Sequence, residues 1–337
     1  MKKISIAVVS VAALALAGYA SIRYIPKWPE PKVTEANIEL GHKLIDEFRS
    51  STLNPDARTA VYNSAGDFLN YSKTQSFQNG GRVKLDAQGL PMIQYGDAYQ
   101  YNPVTVANFA LSQFAKNQPK PPSTPFWAAA QKLIVMQGYD GALRYGFEFK
   151  HYALDKTYGP GWASGMAQGL SLAVWSRAYL VSKDKRYIKA GEKALAFLDA
   201  PVQFGGPRTS MAYLDKSLSG YVFYEEYIGD KGIYTLNGFM FTLLGLHDWC
   251  ENIKSDKACS MFKDGMRTLV KILPYYDFGG FSSYDLTHVT FKHNEPHYAI
   301  RYHSAHVYLL RALYSITKEE TLNKYAQRWA AGGMKPK

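Results

Sequence analysis

The sequence predicts a mainly α-helical chain: an α/α toroid, that is an incomplete α/α barrel, preceded by a small β-rich part. Three observations carry this. Helical apolar spacing recurs over 164–182, 184–198, 236–252, 257–273, 304–316 and 320–331. These segments fall into pairs, a longer apolar helix followed after a short turn by a more amphipathic one. The apolar members are weakly alike, as in Ala173-Val174-Trp175-Ser176-Arg177-Ala178-Tyr179, Phe241-Thr242-Leu243-Leu244-Gly245-Leu246-His247 and Val307-Tyr308-Leu309-Leu310-Arg311-Ala312-Leu313, about 65–70 residues apart. A pair that cannot bury its own apolar face stacks on its neighbours. Third, 61–100 and 141–154 carry turn residues between short apolar runs, which is strand chemistry.

In chain order, Lys2 and Lys3 precede an uncharged apolar run over residues 4–22, closed by Arg23. A positive start and an apolar stretch predict export. The run is either a cleaved signal, with small residues at Gly18-Tyr19-Ala20, or an anchor just long enough to span a bilayer. It contains no cysteine, which excludes a lipoprotein anchor. Pro26, Pro29 and Pro31 make 24–35 an extended linker. An amphipathic helix is expected over about 35–49. Gly80-Gly81 and Gly96-Asp97 punctuate a hairpin or small sheet, and Asn102-Pro103 opens a helix running to about Lys116. Prolines at 119, 121, 122 and 125 break the chain before another helix over about 126–137. The division is therefore 1–23 signal or anchor, 24–35 linker, 36–155 a helix with a small sheet region, and 156–334 an α/α-barrel catalytic domain. In such a barrel the inner helices are apolar nearly all round and the connecting loops build the site at one mouth. Those loops would be 200–235 and 274–303. Cys250 and Cys259, near the end of one helix and the start of the next, are placed to pair after export.

Composition permits much and excludes some. Apolar residues make up 47% of 337, enough for a sizeable core. The net charge of +11 falls to +9 without Lys2 and Lys3, and it suits a polyanion. Lysines are spread rather than clustered, so nucleic acid is not the expected partner. Gly-x-Ser-x-Gly, phosphate-loop, dinucleotide and zinc-protease patterns are absent, and two cysteines do not make a tetrahedral structural metal site.

The two loops hold the reactive groups. Glu225 and Glu226 are adjacent, so in extended backbone they point to opposite faces, one toward a cleft and the other toward a partner cation. Among Tyr224 and Tyr227, a desolvated carboxylate would have a raised pKa suited to acid/base work. His303 and His306 share a helical face. They could join His288 or Asp285 around a metal, but His-x-x-His is a weak pattern, and a hydrogen-bonded pair shaping the cleft is the preferred reading.

Several stretches are similar, in order and spacing over about 160–330, to the D-glucuronyl C5-epimerases of heparan sulfate synthesis. They are Gly161-Trp162-Ala163-Ser164-Gly165-Met166-Ala167-Gln168-Gly169 with Arg177-Ala178-Tyr179-Leu180, Tyr224-Glu225-Glu226-Tyr227, Leu236-Asn237-Gly238-Phe239-Met240, Leu273-Pro274-Tyr275-Tyr276-Asp277, Tyr284-Asp285-Leu286-x-His288 and Tyr302-His303-x-x-His306. Tyr101 to Asn117 also resembles the stretch leading away from that family's N-terminal region. The resemblance implies an isomerase with an α/α-barrel domain that epimerises D-glucuronate to L-iduronate in an acidic polysaccharide such as heparosan. It implies Glu226 and Tyr302 as an opposed acid/base pair, Tyr227 and Tyr284 as assistants, and no cofactor or metal. Substrate contacts would fall to Trp162, Gln168, Tyr224, Asn237, His288, His303 and His306. Animal members carry Arg where this chain has Thr287, so Arg301 or Arg208 is expected to supply the missing charge. The expected setting is the periplasm or its membrane face, and a homodimer is left open. The alternatives are a polysaccharide lyase, which shares the first proton abstraction, a non-catalytic polysaccharide-binding envelope protein, and a toroid hydrolase, which the lack of two placed acidic motifs disfavours.

Overall fold

The computed structural model describes residues 61–116, 121–152, 154–292, 295–299 and 302–333, together with Glu35 and Glu39. The export segment, the linker and nearly all of the helix expected at 35–49 lie outside the described residues, as does Arg301.

Eight helices of three turns or more are described: α1 (Pro103–Lys116), α2 (Thr124–Val135), α3 (Gly165–Ser182), α4 (Lys185–Leu198), α5 (Leu236–Ile253), α6 (Asp256–Ile272), α7 (His303–Thr317) and α8 (Glu320–Gly333). They form four consecutive hairpins. Helices α1, α3, α5 and α7 make an inner layer in which each contacts the next, and α2, α4, α6 and α8 pack outside them. This is the α/α toroid arrangement. Composition sorts the layers. Every residue from Gly165 to Ala178 of α3 is buried, which leaves no polar stripe. Its partner α4 buries only one face, through Tyr187, Ala190, Gly191, Ala194, Leu195 and Leu198. Among the described residues the array begins at Pro103, since α1 packs on α3 as well as on α2. Asn102 starts it by accepting from the amides of Val104 (2.9 Å) and Thr105 (3.2 Å).

The repeat is clearest in its turns. Each of the last three inner helices ends on a lysine in the left-handed region, Lys183 (φ 56°), Lys254 (φ 63°) and Lys318 (φ 58°), whose amide returns to the carbonyl four residues back. The next residue caps or leads into the outer helix. Asp184 accepts from the Arg186 amide and Ser255 from that of Ala258. The first of these hairpins and the second approach backbone to backbone. A Cβ on Gly169 would collide with Thr242, and one on Gly245 would collide with the Gly169 carbonyl. Further along both helices Arg177 of α3 meets Asp248 of α5, so the two run parallel, with both N-termini at one mouth.

The opposite ends are tied differently. Arg177 of α3 and Asp248 of α5 form a fully buried ion pair. Tyr62 donates to the same carboxylate at 2.8 Å, and Arg177 also donates to the Gly66 carbonyl at 3.0 Å, which clamps residues 61–70 onto the inner layer. Cys250 and Cys259 are bonded across the α5–α6 turn, with Cα atoms 4.8 Å apart.

The small sheet is three-stranded and antiparallel: β1 (Val83–Leu85), β2 (Pro91–Tyr95) and β3 (Ala98–Gln100), with Gly96-Asp97 at the β2–β3 turn. Less strand forms at 141–154 than the turn pattern suggests. Among the described residues the segment holds one strand, β4 (Phe149–Lys150), paired with β5 (Thr157–Tyr158), and isolated bridges from Leu143 to Gln137 and from Arg144 to Ala163. The two long connections are partly structured. Strand β6 (Arg208–Ser210) pairs with β7 (Val222–Tyr224) in the first, and β8 (Asp277–Phe278) with β9 (Phe281–Ser282) in the second.

Candidate active site

Strand β7 delivers Glu225 and Glu226 to the mouth, and alternation sends them opposite ways. Glu225 turns inward. Its carboxylate accepts from the amides of Ile233 (3.1 Å) and Tyr234 (3.0 Å), and its own carbonyl accepts from the Gly165 amide at 2.9 Å. The expected partner cation is thus replaced by backbone donors. Gly165 has no room for a Cβ against that carbonyl.

Glu226 lies against Gly238, in the first turn of α5, where any Cβ would strike its carboxylate. The side chain is half-buried, and its Oε2 is buried without a hydrogen-bond partner. Burial pushes its pKa up to about 7, against a hydrogen bond with Tyr227 that lowers it. At neutral pH this carboxyl is therefore poised to hold or release a proton.

Tyrosines surround it. Tyr145, Tyr152, Tyr227 and Tyr284 are all held well above the usual phenol range, by burial first and with the Glu226 charge adding to it. Tyr227 is hydrogen-bonded to Tyr284. The Tyr284 ring is 5.2 Å from Tyr152 and 4.9 Å from Tyr302. Tyr302, just before α7, is exposed. The hydroxyls of Tyr145, Tyr152, Tyr227 and Tyr284 stay protonated at neutral pH, so they act as donors rather than as phenolates. Trp162 continues the wall: its ring stacks on Tyr145 at 3.7 Å and faces Tyr227 at 6.2 Å, and its Nε1 donates to the Phe147 carbonyl.

The N-termini of α3, α5 and α7 converge here, at Gly165, Leu236 and His303. Three positive helix ends on one mouth favour an anion. Asp285 lies beneath. It is fully buried and accepts from the Tyr152 hydroxyl (2.8 Å), the Thr287 amide (2.9 Å), the Thr287 hydroxyl (2.6 Å) and His297 Nδ1 (3.0 Å). Burial pushes its pKa up, but these bonds outweigh it and hold it below the usual carboxylate value. Thr287, where an arginine was missed, spends both of its donors on Asp285.

The sequence expectations divide accordingly. Glu226, Tyr227, Tyr284, Tyr302 and Trp162 come together. Asn237, one residue before Gly238, is buried with its Oδ1 unpartnered. Four others are placed elsewhere. Tyr224 is 1% exposed and directs its hydroxyl to the Met261 carbonyl on the outer helix α6, so it is core. Gln168 is fully buried, with its amide between the Gly141 carbonyl (3.2 Å) and the Leu143 amide (3.0 Å), where it pins a loop to α3. The Arg208 side chain is committed to Asp199, donating to its carbonyl at 2.7 Å and pairing with its carboxylate. His288 packs edge-on against Phe278.

The two histidines are buried and share the Ser282 hydroxyl. His303 Nδ1 accepts from the Ser282 amide (3.1 Å), so its Nε2 carries the proton and donates to the Trp329 carbonyl (2.9 Å). His306 Nδ1 meets the Ser282 hydroxyl at 2.7 Å. Burial lowers both pKa values, to about 4 for His303 and well below the usual imidazole value for His306, where the neighbouring His303 adds to it. Among the described residues no group of three or more His, Cys, Asp or Glu side chains is arranged to hold a metal.

Tyr145, Tyr152 and His297 were not singled out from the sequence. One signal was available: Tyr145, Phe147, Phe149 and His151 alternate, which is how extended backbone builds one aromatic face.

Comparison with known proteins places the chain in a family. The chain is 34% identical over 220 residues to a D-glucuronyl C5-epimerase of Caenorhabditis elegans, covering 61% of this chain and 34% of the relative. It is 32% identical over 187 residues to an uncharacterised protein of Methanocaldococcus jannaschii, covering 55% and 56%. It therefore spans about a third to a half of the relatives it matches. Among solved structures, a GH76 alpha-mannanase of Bacteroides thetaiotaomicron aligns at 12% identity with a TM-score of 0.44, over 88% of this chain and 72% of the other. The model of the D-glucuronyl C5-epimerase C-terminus matches residues 137–331, which run from the loop before α3 to the end of α8, and by that match over more than half its length the chain belongs to the D-glucuronyl C5-epimerase C-terminal family.

Proposed function

We propose that this chain is a uronyl C5-epimerase, an isomerase that converts D-glucuronate to L-iduronate units within an acidic polysaccharide. The observation that carries the reading is Glu226: a half-buried carboxyl with a pKa of about 7 and an unpartnered oxygen, ringed by protonated tyrosines.

The C5 proton lies next to the C6 carboxylate, and removing it leaves an enediolate whose second negative charge is very costly in water. Inversion needs a base on one face of the ring and an acid on the other. Glu226, when ionised, takes the C5 proton, and the bonding pair moves into the C5–C6 system. Tyr302 delivers its hydroxyl proton to C5 from the opposite face. Exchange with water then removes the proton from Glu226 and re-protonates the Tyr302 phenolate, which resets the pair; Tyr302 is exposed to solvent. Trp162, half-buried and backed by the buried Tyr145 ring, offers an aromatic surface for a sugar ring. The three helix N-termini favour the accumulating negative charge.

Export to an oxidising compartment, either periplasmic or anchored facing it, belongs to the same proposal. It is supported by the Cys250–Cys259 bond and by the Lys2-Lys3 apolar start. Among the described residues no helix is long and apolar enough to cross a membrane.

The test is incubation of the full chain with heparosan, desulfated chondroitin and other uronate polymers in heavy water, with NMR at C5. Deuterium at C5 and new iduronate signals are expected. Ultraviolet absorbance from an unsaturated uronate would instead assign a lyase, and no exchange with any polymer would overturn the reading.

A further inference from the structure

The Asp285–His297 pair is built in a way the proton transfers above do not use. Asp285 is completely buried and held by four donors from three residues besides its own. An ionised carboxylate only accepts, so His297 Nδ1 must carry a proton toward it. That fixes the ring and turns Nε2 away from Asp285. The His297 side chain is 40% exposed, and its ring lies 4.5 Å from Tyr152 and 5.2 Å from Tyr284, both of which feel the Glu226 charge. Its backbone is pinned as well, since its carbonyl accepts from the Tyr284 amide at 2.6 Å. A rigid imidazole, backed by a buried carboxylate, thus borders the same mouth as Glu226.

We infer that His297 is the residue by which this chain recognises the uronate carboxylate, with Asp285 as its positioning residue. Protonated on Nε2 as well, the ring becomes an imidazolium whose second charge-assisted donor meets the sugar's C6 carboxylate. Asp285 compensates that cation from behind. The inference rests on the epimerase reading for the identity of the ligand, a sugar carboxylate. It goes beyond that reading in assigning the cationic contact to neither Arg208, which Asp199 occupies, nor the position of Thr287, which is spent on Asp285.

Several titratable groups face His297. Asp285 is ionised, while Tyr152 and Tyr284 stay protonated. His151, whose ring lies 4.1 Å from that of Tyr152, is lowered by burial to about 4 and stays neutral above that. Glu226 gains charge through about pH 7 and would repel a carboxylate too. A pH profile alone therefore does not isolate the histidine, whereas a substitution does.

The experiment measures binding of the full chain to heparosan and to desulfated chondroitin, each beside its carboxyl-reduced, neutral counterpart, at pH 6. Wild type is expected to prefer the uronate form. His297→Gln, checked for an unchanged melting temperature, should lose about tenfold or more of that preference, the size of one charge-assisted hydrogen bond. Its affinity for the reduced polymer should stay the same. His297→Lys, which keeps a cation, should retain part of the preference. An undiminished preference in His297→Gln, or no His297-dependent preference with either polymer, overturns the inference. Because binding is read without turnover, a chain that discriminates through His297 yet exchanges no C5 proton would sink the epimerase reading and leave this one standing.

Discussion

Glu226 concentrates what a single residue can do in this molecule. Replacing it by Gln keeps its size and removes its proton chemistry, so C5 exchange should fall by about 100-fold or more, the usual weight of an acid/base group. Exchange against pH checks the same group: with Glu226 as base, the rate should rise through about pH 7. Stability should move the other way. The folded pKa is raised above the unfolded value, so Glu226 is compatible with folding while protonated and costs stability as pH rises through about 7. Glu226→Gln should therefore raise the melting temperature at pH 8 more than at pH 5. An equal change at both would show that the carboxyl is solvated rather than desolvated. At this scale the sequence grouped Glu226, Tyr227, Tyr284 and Tyr302, because they sit in ordered stretches, and the fold brings the four to one mouth. It misled on Tyr224 and Gln168, because neighbours in such a stretch can face the core as easily as the cleft. His297 was not legible at all. Its place depends on Asp285, twelve positions away, and only the fold brings the imidazole and the carboxylate together.

At the level of elements, the helical pairs were readable because their signals are local. Apolar periodicity, Asp184, Ser255 and the Asn102-Pro103 start all act within a turn of themselves. The 141–154 segment was less so, since whether an alternating stretch pairs or peels away depends on a partner the pattern does not contain. Two element-scale predictions follow from geometry. Lys183, Lys254 and Lys318 hold a left-handed conformation that costs a side-chain-bearing residue roughly 1 kcal/mol, so Lys254→Gly should raise stability by up to about that amount in a denaturant titration. Gly245 marks the closest approach of α3 and α5. Gly245→Ala has only the Gly169 backbone to push against, and a loss of about 1–3 kcal/mol is expected in the same titration.

Taken whole, the molecule separates its chemistry from its fastenings along the axis of the inner helices. The mouth at Gly165, Leu236 and His303 holds the carboxyl and the tyrosines. The far ends hold the Arg177–Asp248 pair and the Cys250–Cys259 bond. Removing the bond as Cys250→Ser/Cys259→Ser should cost about 3 kcal/mol through the freed loop of the unfolded chain, with C5 exchange unchanged below the melting temperature. Arg177→Met alone leaves a buried carboxylate and should cost about 3–5 kcal/mol, again without altering the rate of the folded protein. A loss of exchange in either folded variant would show that the two ends are coupled. If they are not, inheritance gains latitude: the rim between residues 284 and 297 can be rewritten for a different polymer while the rivets at the other end keep the barrel from noticing.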